Sequence, residues 1–225
     1  MKEYFDFHVQ MLNKLLKVTA NDKIEFSDLT NWKQSHPYYR LNYYDGTNIS
    51  QVLGIYLLFS KEFLSQFDNI IEIGSYNGGL SSYIFDSKKE NCMFVSYDID
   101  ADINMITKRR PEIDFRIGDC FKEKYFKEIA SYIKRDGKTL LICDGGDKIR
   151  EFNEFTKYLK PDDIAILHDY NNDNIELWEQ STSYWQWPYG YEASYSDIKD
   201  SIDKYSLKSY HNDIFNFYLW GAYKK

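Results

Sequence analysis

The sequence predicts an α/β fold, a doubly wound and mostly parallel sheet with helices on both faces, preceded by an N-terminal helical cap. Three observations carry this expectation. From residue 70 onward, short apolar runs of strand length alternate with helix-length segments, the pattern of strands buried on both faces. A glycine-rich turn follows the first run and leads directly into a helix start. Acidic residues close the later runs at Asp98, Asp119, Asp144 and Asp169, at the edge where open α/β sheets bind ligands.

Taken in order, apolar residues at Phe5, Val9, Leu12, Leu15 and Leu16 recur every three or four positions and predict a first amphipathic helix. A polar and aromatic stretch with turn signals at His36-Pro37 and Asp45-Gly46 follows, and Ile49 to Leu64 reads as a strongly apolar helix. Residues 1–66 thus form the expected cap, and 67–225 the sheet domain. Strands are expected at Ile70–Ile73, Cys92–Asp98, Asp114–Ile117, Leu140–Cys143 and Ile164–Leu167. Helices are expected near Gly79–Asp86, Ile103–Arg109, Phe121–Lys134 and Lys148–Leu159. Pro111, Gly137 and Pro161 fall in the connections, where helices stop. Residues 170–193 break the alternation with a Trp/Tyr-rich loop whose bulk argues against disorder, so an aromatic lid is expected there. A helix over Ser194–Tyr205 and an antiparallel pair, Leu207–Tyr210 with Phe215–Tyr223, close the chain.

Composition narrows the function. Lys and Arg total 28 against 35 Asp and Glu, a net charge of −7, which argues against nucleic acid as a general partner. Cys92, Cys120 and Cys143 are widely spaced, two of them in apolar runs. They read as reduced core thiols in a cytoplasmic protein, not as a disulfide framework or zinc site. Met1 to Gln10 carries Glu3 and Asp6 and does not read as a secretory signal. The longest apolar run, Val52–Phe59, is far short of the roughly 20 residues of a membrane span, so no membrane association is expected. Aromatics make up 18% of the chain and cluster near 38–44 and 184–195, where pocket lining, core packing and subunit contact compete. A homo-oligomer therefore stays open.

The glycine loop reads Glu72-Ile73-Gly74-Ser75-Tyr76-Asn77-Gly78-Gly79. A nicotinamide site wants a second glycine two places after the first, where this chain has Tyr76, so a nicotinamide-dependent oxidoreductase is disfavoured. Asp98 stands at a strand end 24 residues beyond Gly74, where a carboxylate can accept from two ribose hydroxyls or act as a turn residue, with Asp100 as its rival. Asp119 follows Gly118 after the third strand, where a helix N-cap is the competing role. Asp144, His168 and Asp169 converge from the ends of the fourth and fifth strands. Three such donors suit a divalent cation that polarises a hydroxyl, while His168 alone suits a general base. Asp147 either joins that cluster or starts the next helix.

The loop from Glu72 to Gly79, with Asp98 and the later strand ends, resembles the class I S-adenosylmethionine-dependent methyltransferases. It is most similar to small-molecule O-methyltransferases of the catechol, macrocin and cephalosporin-hydroxylase-like type. The resemblance covers about residues 68–171. It implies a Rossmann-like seven-stranded sheet with an antiparallel last strand. It also implies S-adenosylmethionine held by Glu72, Gly74, Ser75, Tyr76, Gly78, Asp98, Asp119 and Asp144, the adenine lying against Asp119. A metal, Mg²⁺ or Mn²⁺, would sit on Asp144, His168 and Asp169, although His168 departs from the family's carboxylate and suits Mn²⁺ or no metal better. The expected activity is O-methylation of a small polar acceptor such as a sugar or natural-product hydroxyl, with Asp144 and His168 as catalytic residues. Trp185, Trp187 and Tyr189, with Tyr38, Tyr39, Tyr43 and Tyr44 as second candidates, would cover the acceptor. A binding protein that keeps the fold without turnover is the non-catalytic alternative.

Overall fold

The computed structural model describes residues 58–76, 78–99, 110–176, 178–179 and 190–225. Most of the expected cap, the helix at Ile103–Arg109, Asp100, and the aromatics at 38–44 and 184–189 lie outside the described residues. Residues 58–225 make up one compact unit.

Helix α1 (Lys61–Leu64) is capped by the Ser60 side chain and enters β1 (Asn69–Ile73). There follow α2 (Gly79–Ser87), β2 (Met93–Asp98), β3 (Asp114–Ile117), α3 (Glu123–Ile133) and β4 (Thr139–Cys143). After α4 (Lys148–Phe155) and a 3-10 turn (Thr156–Tyr158) comes β5 (Ile164–His168). Two short strands, β6 (Tyr170–Asn171) and β7 (Ala193–Ser194), precede α5 (Tyr195–Tyr205). The chain ends with β8 (Lys208–Ser209), α6 (Asn212–Phe215), a 3-10 turn (Asn216–Tyr218) and β9 (Trp220–Lys224).

Seven strands join in the order β3-β2-β1-β4-β5-β9-β8. β1 to β5 are parallel, and β9 runs antiparallel to both β5 and β8. The chain winds outward from β1 in one direction through β2 and β3 and in the other through β4 and β5. The switch point, where a crevice opens at the carboxyl edge, therefore lies between β1 and β4. The ladder runs on past the strand ends, with Gly74 N donating to Tyr97 O and Asp144 N to Ile73 O, both at 2.8 Å. The loops that carry the candidate residues thus start in register.

Why these runs become strands is plain from their burial, since all five residues of β1 and of β4 are buried. Alternate residues serve opposite faces. Ile71, Ile73, Leu141, Cys143, Ala165 and Leu167 join one core with Ile129, Ile133, Phe152, Phe155 and Ile198 from α3, α4 and α5. Their neighbours Ile70, Glu72, Leu140 and Ile142 take the other face, equally buried. The three cysteines are free and buried. The start of β4 is fixed by Asp163, which is fully buried and accepts from Thr139 N and Lys160 N, both at 2.7 Å.

Two elements depart from expectation. The final pair forms, but its second strand starts at Trp220 instead of Phe215, because 212–218 folds into α6 and a 3-10 turn. An aromatic run has high strand propensity, yet here Phe215 packs on Phe63 at 6.1 Å between ring centres. Leu219, at φ 63, turns the chain back into β9. The β6–β7 pair was not expected; it is parallel and joins the two ends of the 170–193 stretch. Among the described residues no helix is long and apolar enough to cross a membrane.

Candidate active site

The glycine loop closes onto β4. Gly74 has φ 94, and a Cβ there would lie 2.1 Å from the Asp144 carbonyl oxygen, so only glycine lets the two strand ends approach this closely. Ser75 is buried, whereas the Tyr76 side chain is 81% exposed. Gly78 N donates to Ser75 O at 2.6 Å and forms the N-cap of α2. A glycine cap has no side chain with which to satisfy the first-turn N–H groups, which suits a ligand carboxylate.

Glu72 sits beneath this loop. Fully buried on the face covered by α2, its Oε2 accepts from the Ser81 and Ser96 hydroxyls, and Ser75 Oγ lies 2.8 Å from Ser96 Oγ. Burial, only partly offset by those two hydroxyls, pushes its pKa up to about 8, so the carboxyl is largely protonated at neutral pH. It ties β1, β2 and α2 together under the loop.

Asp98 holds the loop from the next strand, its Oδ2 accepting from Tyr76 N at 2.6 Å. Exposed apolar residues stand at the neighbouring strand ends: Tyr76 after β1, Ile99 after β2 and Ile117 at the end of β3. Asp119 hydrogen-bonds within its own turn, its Oδ1 accepting from Phe121 N at 2.9 Å. An acid beside the glycine loop, with exposed apolar residues on the adjacent strand ends, has the chemistry that a ribose joined to a flat base would need.

Across the switch point, the ends of β4 and β5 meet. His168 Nδ1 lies 3.0 Å from Asp144 Oδ1 and 3.6 Å from Asp169 Oδ2, and the imidazole packs on Trp220 with ring centres 4.3 Å apart. Burial opposes charge on the ring, but Asp169 and Asp144 outweigh it and hold the imidazole pKa above its ordinary value. Asp169 itself sits at φ 50, and its Oδ1 is buried without a hydrogen-bond partner. The loop after Asp144 is fastened from behind by Glu151, which accepts from Gly145 N at 3.1 Å, while Asp147 caps α4 by accepting from Arg150 N at 3.1 Å.

The residue that sequence reasoning missed is Lys148, the first of α4. Its side chain is 6% exposed, and its ammonium lies 3.5 Å from Asp169 Oδ2, 3.9 Å from Asp144 Oδ1 and 3.1 Å from Gly145 O, which accepts from it. It also pairs with Glu192. Burial opposes its charge, but Asp144, Glu192 and Asp169 together raise its pKa. One signal was legible: a lysine in the first turn of a helix stands at the positive end of the dipole, an unfavourable place that calls for local carboxylates. The donor atoms of Asp144, His168 and Asp169 do lie within 4.8 Å of one another. An ion about 2.1 Å from the carboxylate oxygens would share both of them with this resident ammonium, which is a poor fit for a hard divalent cation.

Comparison with known proteins is informative at the level of fold. No protein-family model matches the chain, and no curated protein does. Among solved structures, the S-adenosylmethionine-dependent methyltransferase SibL in its apo form aligns with a TM-score of 0.51 at 8% identity. That alignment covers 92% of this chain and 63% of that one. MycE, a methyltransferase of the mycinamycin biosynthetic pathway in complex with Mg and SAH, aligns with a TM-score of 0.43 at 18% identity, covering 91% and 49%. An O-methyltransferase from Klebsiella pneumoniae, itself described as putative, gives 0.44 at 13% identity, covering 89% and 88%. This chain spans about half the length of MycE. The fold is that of the class I S-adenosylmethionine-dependent methyltransferases.

Proposed function

We propose that this protein binds S-adenosylmethionine on the loop from Glu72 to Gly78 and on Asp98, and methylates a hydroxyl of a small polar molecule. A sugar or a natural product is the acceptor class. The observation that carries this reading is the double position of Asp144. Its backbone packs against Gly74 of the cofactor loop, and its carboxylate lies 3.0 Å from His168 Nδ1. The loop and a proton-accepting group are therefore neighbours across the switch point.

S-adenosylmethionine supplies a methyl carbon made electrophilic by its sulfonium. The protein's share is to hold an acceptor oxygen in line with that carbon and to take its proton, and positioning provides much of the acceleration. His168 Nδ1 lies 3.0 Å from Asp144 Oδ1, and in this reading Nδ1–H donates to that carboxylate, leaving Nε2 to take the proton. Asp98, accepting from Tyr76 N beside the glycine loop, supports the cofactor half of the reading.

Calorimetric titration of the full chain with S-adenosylmethionine tests the proposal. Micromolar, saturable binding is expected; absence of binding removes it. A nicotinamide cofactor, titrated in parallel, should give no signal.

A further inference from the structure

We propose that Lys148 is the built-in cation of this site, holding Asp144 and Asp169 in place so that methyl transfer needs no divalent metal. The inference rests on the methyltransferase reading above but draws on different residues. Asp144, Asp169 and Glu192 reach the site from three separate segments, and a single side chain, the Lys148 ammonium, contacts all three. Glu192 is set beside Asp169 by a backbone bond, its N donating to Asp169 O at 2.9 Å, so the three acids are not a chance surface cluster. The Lys148 side chain is 6% exposed, and its ammonium donates to Gly145 O as well. A lysine so buried at the positive end of α4 is stable only with these carboxylates around it, and the carboxylates in turn have their counterion. A divalent ion bound to Asp144 and Asp169 would bring a second cation within a few ångströms of the first, among side chains buried enough to weaken solvent screening of the repulsion.

Lys148 is a positioning residue, acting through the two aspartates that face His168. The test uses the full chain after exhaustive chelation. Wild-type protein titrated with Mn²⁺ and followed by electron paramagnetic resonance should show no stoichiometric site. One equivalent bound tightly and lost in Asp144→Asn overturns the proposal. Turnover of wild type should be unchanged by chelator. Lys148→Met should retain S-adenosylmethionine affinity but lose turnover on the order of 100-fold, with Lys148→Arg restoring a large part. Turnover of Lys148→Met equal to wild type also overturns it. If Lys148→Met does not fold, the wild-type Mn²⁺ titration decides alone. Failure of wild type to bind S-adenosylmethionine would sink the methyltransferase reading while leaving the Mn²⁺ result interpretable.

Discussion

Gly74 and Asp144 are packed so tightly that the glycine has no room for a β-carbon, which would lie 2.1 Å from the aspartate carbonyl oxygen. The contact joins the end of β1 to the end of β4, so the glycine loop and the Asp144–His168 pair are set by one backbone contact. Gly74→Ala must both strain φ 94 and push the strands apart. A loss of more than about 3 kcal/mol is expected. For a chain of this size that is a fall in melting temperature of about 10 °C, with S-adenosylmethionine binding lost in the folded fraction. Thermal unfolding with and without cofactor measures both.

Asp98 accepts the Tyr76 N–H at the end of β2, beside the glycine loop. Asp98→Ala should weaken S-adenosylmethionine binding about ten- to a hundredfold, the worth of losing hydrogen bonds to a charged acceptor. The measurement is calorimetric, and a variant that binds as tightly as wild type would show that the ribose is held elsewhere.

Glu72 makes stability depend on pH in a definite direction. Its pKa rises from 4.5 unfolded to about 8 folded, so the folded state holds the proton more tightly. The contribution is fully present below 4.5 and is lost as pH climbs through about 8. Glu72→Gln keeps the shape of the protonated carboxyl without the titration. Melting temperatures of variant and wild type should therefore be similar at pH 4.5 and diverge in the variant's favour up to pH 8.

Under the proposed function, His168 is the group that sets the pH dependence of turnover. Its pKa is held above the ordinary 6.5, and a base must be unprotonated to accept, so kcat/KM should rise with pH to a midpoint above 6.5. Asp144→Asn removes one of the carboxylates that raise it and should move the midpoint down. His168→Asn should flatten the profile and lower the rate by about 10²–10⁴-fold. A profile that keeps its rising limb in His168→Asn would assign the base elsewhere.

The sheet was legible because strands buried on both faces are written as unbroken apolar runs, as at Ile70–Ile73 and Leu140–Cys143. The meeting of Asp144 with His168 was legible too, since both stand at ends of adjacent parallel strands. Lys148 was not, because its meaning comes from partners as distant in sequence as Glu192, 44 residues on. Glu72 was assigned from the loop motif alone. Its hydrogen bonds to Ser81 and Ser96 depend on which face of β1 it takes, and a fully apolar strand does not announce its facing by alternation. The helical turn at 212–218 was hidden by an aromatic run that local propensity assigns to a strand.

The β6–β7 pair fastens Tyr170–Asn171 to Ala193–Ser194, so the chain leaves and re-enters the domain at neighbouring points. Paired strands stand about 4.8 Å apart, and the entropy of closing the intervening segment grows only slowly with its length. By loop-closure entropy alone, the length of chain between Asn171 and Ala193 weighs little on the frame. The two short strands pin the ends of that stretch to each other, much as a clasp holds a cord whatever its length.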